Sequence, residues 1–543
     1  MTKFVRNILA AKLVFTAVLF CALASSAQVP TDSVMTQTRP VIDQQRVGVD
    51  ATEQLSLTLE QAIEMALKNN NDIQSSRNDV KIADFNIKGA RGVYDPLVNS
   101  QAYYESRTTP TASTIGGAVN GSVTQRQVFA DLGLTGFVPK FGGSYDAVFT
   151  NSRTNSTNRN ATLNPQYPTS LVLTYVQPLF RNFKFDNNRR QIEIAKKNRE
   201  ISDSDLKLKA ITVVSAVEQA YWNLAFAMRN LQIQNDTLKQ SREQMESNKR
   251  LVEKGVLAPI EIVAANAQIA NFEQSVFLAQ ETVTRAENTL KTLLLPDRTS
   301  PDWSKPITPV SPVTQTVPQT PVDIAVSEAI MNRPEVEQLG KNEEINKIDL
   351  RYYRNQTKPQ IDLVGSYTSA GLAGTPNPLS SGAATVPDNL KGGYFTSLGN
   401  LFQQDFPTYR VGVQISLPWG NNVAKANLGR TLVEADKLKN TRAQTEQLIE
   451  AEVRNAIQAL RSAEARLASA TAARIAAEEL YASEQRQFRA GVTTFYLVAQ
   501  RQTELLTARG RELQSQTDLN IAISVFYRAV GRTLAVNNVT VTN

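Results

Sequence analysis

The 543-residue chain contains no histidine and a single cysteine, Cys21. Those two absences remove histidine general bases, cysteine nucleophiles, disulfide frameworks and every Cys/His metal site. Carboxylate chemistry survives this filter, but no motif supports it. No catalytic residue, metal site or cofactor is therefore expected, and the chain does not read as an enzyme. Long apolar runs are also missing. Beyond the N-terminal leader no stretch of about 18 apolar residues occurs, which excludes a transmembrane helix and leaves strands as the only means of crossing a membrane. Charge of one sign is scarce too. The formal charge is +7; Lys3, Arg6 and Lys12 lie in the leader, and 58 basic residues less these three leaves 55 against 51 acidic ones. That balance, about +4 over the whole mature length, is too weak to point to nucleic acid.

Residues 1–27 have the three parts of a signal peptide. Lys3, Arg6 and Lys12 form a basic end, Leu13–Leu23 is apolar, and Ser25-Ser26-Ala27 supplies small residues for cleavage, so the mature chain is expected to begin at Gln28. Lipid attachment at Cys21 wants a small residue before the cysteine, and Phe20 stands there. Residues 28–54 form a polar N-terminal extension.

What is present is a repeat. RLVEKGVLAPIEIVAANAQ at 250–268 and RQFRAGVTTFYLVAQRQTE at 486–504 align Gly255 with Gly491 and Val256 with Val492. Each glycine ends a long stretch poor in Gly and Pro, and a second helical stretch starts just beyond. AIEMALKNNNDI at 62–73 likewise resembles EAIMNRPEV at 328–336, and Gln177-Pro178-Leu179 corresponds to Leu417-Pro418-Trp419. The chain thus reads as an internal duplication. Repeat 1 spans 55–295, a Pro-rich linker 296–321, repeat 2 322–534 and a C-terminal tail 535–543. The predicted helices are 59–93, 187–254 and 259–295 in the first repeat, and 322–357, 421–490 and 494–533 in the second. At 1.5 Å per residue the longest reach about 100 Å. Val214, Val217, Tyr221 and Leu224, then Ile449, Val453, Ala456 and Leu460, keep the 4-3 spacing of coiled-coil seams.

The strands carry the compartment. In Tyr409–Leu417 the residues Tyr409, Val411, Val413, Ile415 and Leu417 alternate with Arg410, Gly412, Gln414 and Ser416. Such a strand fits a membrane β-barrel, apolar side to lipid and polar side to water, and equally fits the half-buried strand of a soluble sheet. Four spanning strands are predicted, about 96–107, 169–180, 359–368 and 409–418. An extra hairpin at 125–153 turns at Gly142-Gly143, and whether it lengthens the wall or caps it stays open. Segment 151–162 and residues 369–408 read as surface loops. Four strands cannot close a barrel, and open edges are not tolerated in lipid, so the chain is expected to oligomerise.

In the order and spacing of KGVLAPIEI, RAGVTTFYLV, QPLF at 177–180 and VFYRAVG at 525–531, the chain resembles the TolC-type outer-membrane efflux and secretion channels over nearly all its mature length. The resemblance implies an α+β membrane protein of the bacterial outer membrane and a homotrimer. Its twelve-stranded β-barrel, four strands per chain, would continue as an α-helical coiled-coil barrel in the periplasm. It also implies a passive exit duct for a tripartite efflux or type I secretion system, docked to a periplasmic adaptor and an inner-membrane pump. The adaptor-docking tip would comprise Gly255, Val256, Leu257, Gly491, Val492 and Thr493. The periplasmic entrance would be lined by Glu261, Leu497 and Gln500. Many family members carry acids where Leu497 and Gln500 stand, which weakens the expectation of an acidic ring there. The alternative is a periplasmic coiled-coil structural or adaptor protein.

Overall fold

The computed structural model describes residues 48–541 apart from 51–52, 113, 119, 313–315, 379 and 381–384; the leader and its cleavage point lie outside the described residues. The chain opens with strand β1 (Leu55–Leu57) and helix α1 (Leu59–Asn69). Thr58 starts that helix, its hydroxyl accepting from the Gln61 amide while the Gln61 side chain accepts from the Thr58 amide. Helix α2 (Asn71–Arg91) follows. The single helix expected over 59–93 is two, because the Asn70 side chain accepts from the amides of Asp72 and Ile73 and so starts a new helix. Strands β2 (Leu97–Pro110), β3 (Ser122–Phe137), β4 (Ser144–Ser156) and β5 (Leu163–Pro178) lead to helix α3 (Asn187–Glu253) and its return helix α4 (Ile260–Leu294).

The linker contributes β6 (Ile307–Pro309). Helices α5 (Val322–Asn332) and α6 (Pro334–Gln356) are again two where one was expected, since Pro334 at the first position of α6 cannot continue a preceding helix. The order then repeats in outline: β7 (Gln360–Pro376), a short helix α7 (Tyr394–Gln403), β8 (Phe406–Ser416), the long helix α8 (Asn422–Arg489), the return helix α9 (Phe495–Val530) and a last turn α10 (Thr533–Val536).

The sheet corrects the expectation of four strands per chain. Six strands form one antiparallel sheet in the order β2-β3-β4-β5-β7-β8. The hairpin β3–β4 is inserted into the sheet, with β3 paired to β2 and β4 paired to β5. The reason is visible in one row of cross-strand neighbours. Tyr409, Tyr367, Leu173, Ala147, Leu134 and Val98 stand opposite one another across all six strands. The adjacent row on the other face reads Arg410, Ser366, Thr174, Asp146, Thr135 and Leu97. The hairpin thus follows the same apolar/polar alternation as its neighbours and extends the apolar face. The expected surface loop 151–162 remains in strand as far as Ser156, and β7 runs to Pro376 inside the expected loop 369–408.

The helical part packs around two main clusters. One gathers Val214, Val217, Tyr221 and Leu224 of α3 with Ile63 and Ile73 and with Leu290 and Leu294 of α4. The other gathers Val453, Ala456 and Leu460 of α8 with Ile523, Phe526 and Val530 of α9 and Ala325 and Ala329 of α5. The linker is fastened to the first. Strand β6 pairs in parallel with β1. The Tyr221 hydroxyl donates to the Leu57 carbonyl (3.0 Å) and accepts from the Ser311 amide (2.9 Å). Buried Lys291 and Glu287 pair at 2.7 Å; the lysine also donates to the Trp303 carbonyl and the glutamate accepts from the Ile307 amide. These contacts satisfy groups that would be costly to bury alone.

Glu218 on α3 is buried, and its carboxylate accepts from the Ser524 hydroxyl on α9 and from the Asn537 side chain (2.8 Å). Burial pushes this carboxyl above its ordinary range against the pull of those two donors. With the folded value raised, its contribution to stability is fully present below the unfolded carboxyl value and is lost as pH rises through the folded one. Glu218→Gln holds the group neutral while keeping an acceptor and a donor. Its melting temperature is expected to exceed that of the parent at neutral pH, with the difference closing in acid. Thermal unfolding at the two pH values checks this, and a variant less stable than the parent at neutral pH would contradict it.

Candidate docking tip and entrance

The two turns share one backbone solution. Lys254 and Ala490 cap α3 and α8, and the following glycines, Gly255 (φ 72°) and Gly491 (φ 74°), lie in the left-handed region. The Gly255 amide donates to the Val252 carbonyl and the Val256 amide to the Leu251 carbonyl, both at 2.9 Å. The Gly491 amide donates to Phe488 and the Val492 amide to Gln487, both at 3.0 Å. This paired pattern ends a helix by satisfying its last carbonyls, and it needs a residue without a Cβ penalty at positive φ. It also turns the next side chain outward: Val256 is 68% exposed and Val492 76%.

A groove of about 590 Å³ lies between the ends of α3 and α8. Val256, Leu257, Gly491 and Thr493 line it together with Leu251, Tyr481 and Phe488. Four of the six residues expected at the tip are therefore gathered in one place, while Gly255 and Val492 stand beside it in the turns. The Thr493 hydroxyl donates to Glu484 (2.6 Å), and Phe488 faces Phe495 across the second turn with ring centroids 6.3 Å apart. Burial raises the Tyr481 phenol above its ordinary value. Tyr481, Gln485 and Phe488 escape sequence reasoning because they lie on the α8 flank facing α3, which a seam within one helix does not mark.

Glu261, Leu497 and Gln500 do not line this groove. Glu261 is half-buried in the first turn of α4, whereas Leu497 and Gln500 are exposed on the first turns of α9. Gln500 donates to Glu504 one turn further on (3.1 Å), and Arg501 pairs with the same carboxylate at 2.7 Å. The hydrogen bond from Arg501 lowers the Glu504 pKa. Glu504 is thus a charge near the expected entrance that the motif comparison did not include, and it is matched by an adjacent cation. Among the described residues no cluster of metal-ligating side chains occurs, and no helix is long and apolar enough to cross a membrane.

At the other end of α3 three basic residues are paired within the chain. Arg189 pairs with Asp186 (2.8 Å), Arg190 with Asp349 (2.6 Å) and Lys197 with Glu344 (2.8 Å), so these residues tie α3 to its own cap and to α6.

The family model described as "Outer membrane efflux protein" matches residues 62–294 and 325–532. No curated protein sequence matches the chain significantly. Solved structures share the fold at low identity. The outer-membrane channel OprN has TM-score 0.61 at 19% identity, over 89% of this chain and 94% of its own. The Campylobacter jejuni CmeC outer membrane channel has TM-score 0.60 at 15% identity, over 87% and 85%. CusC has TM-score 0.63 at 16% identity, over 90% and 99%.

Proposed function

Since the chain belongs to the outer membrane efflux protein family, we propose that three copies close one transmembrane barrel and that their helices continue it as a periplasmic duct. An inner-membrane pump and a periplasmic adaptor deliver substrate to this duct, which contributes passage and no chemistry. The observation that carries the reading is the sheet: an apolar face spread over six strands, bounded by β2 and β8, all of whose residues are exposed in the single chain. In a bilayer such edges must be paired, and copies of the same chain supply the partner, β8 of one against β2 of the next. A soluble coiled-coil adaptor leaves this apolar face in water and accounts for neither edge.

Six strands from each of three chains make eighteen, in place of the twelve expected from four strands per chain. The wall then suits the tunnel beneath it. Six strands spaced ~4.8 Å and tilted ~40° occupy roughly 38 Å of circumference. Four helix columns per chain, the two long helices and two composite ones, occupy about 36 Å at ~9 Å spacing. Four strands would cover only about 25 Å by the same geometry and would force a neck. The duct is thus of nearly constant width from tunnel to mouth.

Light scattering in mild detergent, corrected for bound detergent, is expected to give three times the mass of the mature chain. A folded monomer stable in a bilayer would overturn the reading, because its edge strands would face lipid unpaired.

A further inference from the structure

Helix α7 lies on the apolar face of the sheet, just beyond the row that ends in Tyr367 and Tyr409, whose rings are 5.1 Å apart. Its seat is the next stretch of the same face. Thr169 and Gly371 are cross-strand partners there, and Ser369 is two residues beyond Tyr367 on β7. The Thr169 hydroxyl meets that of Ser397 at 2.9 Å, and the Ser369 hydroxyl donates to the Leu401 carbonyl at 2.6 Å. Asn400 donates to the carbonyls of Leu372 (2.8 Å) and Asn389 (2.9 Å). Gly371 admits the helix, since a Cβ there would stand 2.1 Å from the Ser397 carbonyl oxygen. The contact is therefore built and close, and mostly polar.

The two phenylalanines of α7 point the other way. Phe395 is 83% exposed and Phe402 72%, and seven residues apart they stand on one helix face. A helix on a water-exposed surface buries its apolar side and presents its polar one. This helix buries Ser397 and Asn400 against the sheet with a single apolar residue, Leu401, and holds two phenylalanines outward. Such inversion suits a helix whose outer side meets hydrocarbon.

We infer that α7 is an interfacial helix that inserts Phe395 and Phe402 at the headgroup–acyl boundary of the outer leaflet, with membrane lipid as its partner. The inference rests on the outer-membrane reading, because the face on which α7 sits is continuous with the apolar band. The helix adjoins the strand ends away from α3 and α8, hence the outer leaflet. Its level agrees with the Tyr367/Tyr409 pair, since interfacial aromatics gather where hydrocarbon gives way to headgroups. The consequence is mechanical. The long connection between β7 and β8 is held against the outside of the wall and kept out of the mouth of the duct.

Nitroxide accessibility tests this. Phe395→Cys, Phe402→Cys, Asp388→Cys and Val413→Cys are each spin-labelled, Cys21 being the only other cysteine and lying in the leader. The mature protein is reconstituted in phosphatidylethanolamine/phosphatidylglycerol vesicles. Oxygen, which concentrates in lipid, is expected to relax the labels at 395 and 402 severalfold more than a water-soluble nickel chelate does, with the reverse at 388. Greater relaxation by nickel at 395 and 402 overturns the inference in favour of water. Little relaxation by either reagent overturns it in favour of cover by a neighbouring copy. The label at 413 separates the two readings. If it reports lipid while 395 and 402 do not, only the helix assignment fails; if it also reports water, the membrane wall itself fails.

Discussion

Val413→Arg is expected to abolish most outer-membrane assembly, whereas Gln414→Arg, one residue along the same strand, assembles normally. Val413 stands opposite Leu363 on the apolar face, and Gln414 stands opposite Asp362 on the polar one. Arginine at mid-bilayer on the lipid face of a barrel strand costs roughly 2–4 kcal/mol. In the proposed trimer three such charges enter one assembly, and the penalty would be felt three times on closure of the barrel. At 414 the new guanidinium enters the aqueous side and gains a carboxylate neighbour across the strand, where opposite charges attract. The yield of detergent-extracted trimer from outer-membrane fractions distinguishes the variants. Equal yields would mean that the two faces of β8 are not lipid and water. The pair is a strict test because the side-chain period of a strand is two: any register that spares Val413 from lipid puts Gln414 there.

The long helices and the sidedness of β8 are legible in the sequence because both depend on local periodicity. Val453, Ala456 and Leu460 keep their spacing over several turns, and Tyr409–Leu417 alternates without interruption. Where the structure departs from expectation, long-range partners decide. Residues 151–156, rich in Asn, Ser and Thr, look like a loop until their register against Gln125–Ala130 and against β5 is known. The hairpin β3–β4 looks like an addition because Gly133, Gly136 and Asp131 dilute its pattern. Val128, Leu132, Leu134, Ala147 and Phe149 nevertheless fall on the apolar face, with Phe129, Phe137 and Val148 on the other, and the pairing of β3 with β2 and of β4 with β5 makes the hairpin part of the sheet. Helix α7 was hidden for a different reason. YFTSLGNLFQ is short, and of its apolar residues only Leu401 is fully buried while Phe395 and Phe402 face outward, so it carries little core-facing periodicity. At the tip the glycines are legible, since positive φ at a helix end strongly favours glycine. The groove beside them is not, because it forms between α3 and α8, more than two hundred residues apart in the chain.

Val492→Glu is expected to leave folding and assembly intact and to remove efflux, bringing the sensitivity of cells to a transported toxic compound to that of a strain lacking the channel. The argument begins with what the side chain does for the fold, which is little: Val492 is 76% exposed, follows the glycine turn and contributes its amide, not its side chain, to closing the helix. Surface substitutions of this kind usually change stability by less than about 0.5 kcal/mol. An apolar residue held outward by a rigid turn, beside a groove lined by Leu251, Leu257 and Phe488, suits contact with a helical hairpin of the adaptor. A carboxylate placed in the middle of such an interface loses its water without gaining a partner, and binding energy is concentrated in such central apolar residues. Val256→Glu, in the equivalent turn of α3, is expected to act in the same direction, and the double variant to be no less defective than either. Gly491→Ala supplies the contrast. Nothing stands within 4 Å of the added Cβ, so its cost is that of the left-handed backbone alone, about 1–2 kcal/mol, and efflux should persist in proportion to the folded protein. A photo-cross-linker carried at Thr494, next to the turn, reports docking directly. Cross-linking to the adaptor is expected in the parent and in Gly491→Ala and is expected to be lost in Val492→Glu. Persistent cross-linking and efflux in Val492→Glu would reduce the two turns to helix stops, with docking assigned elsewhere on the helices.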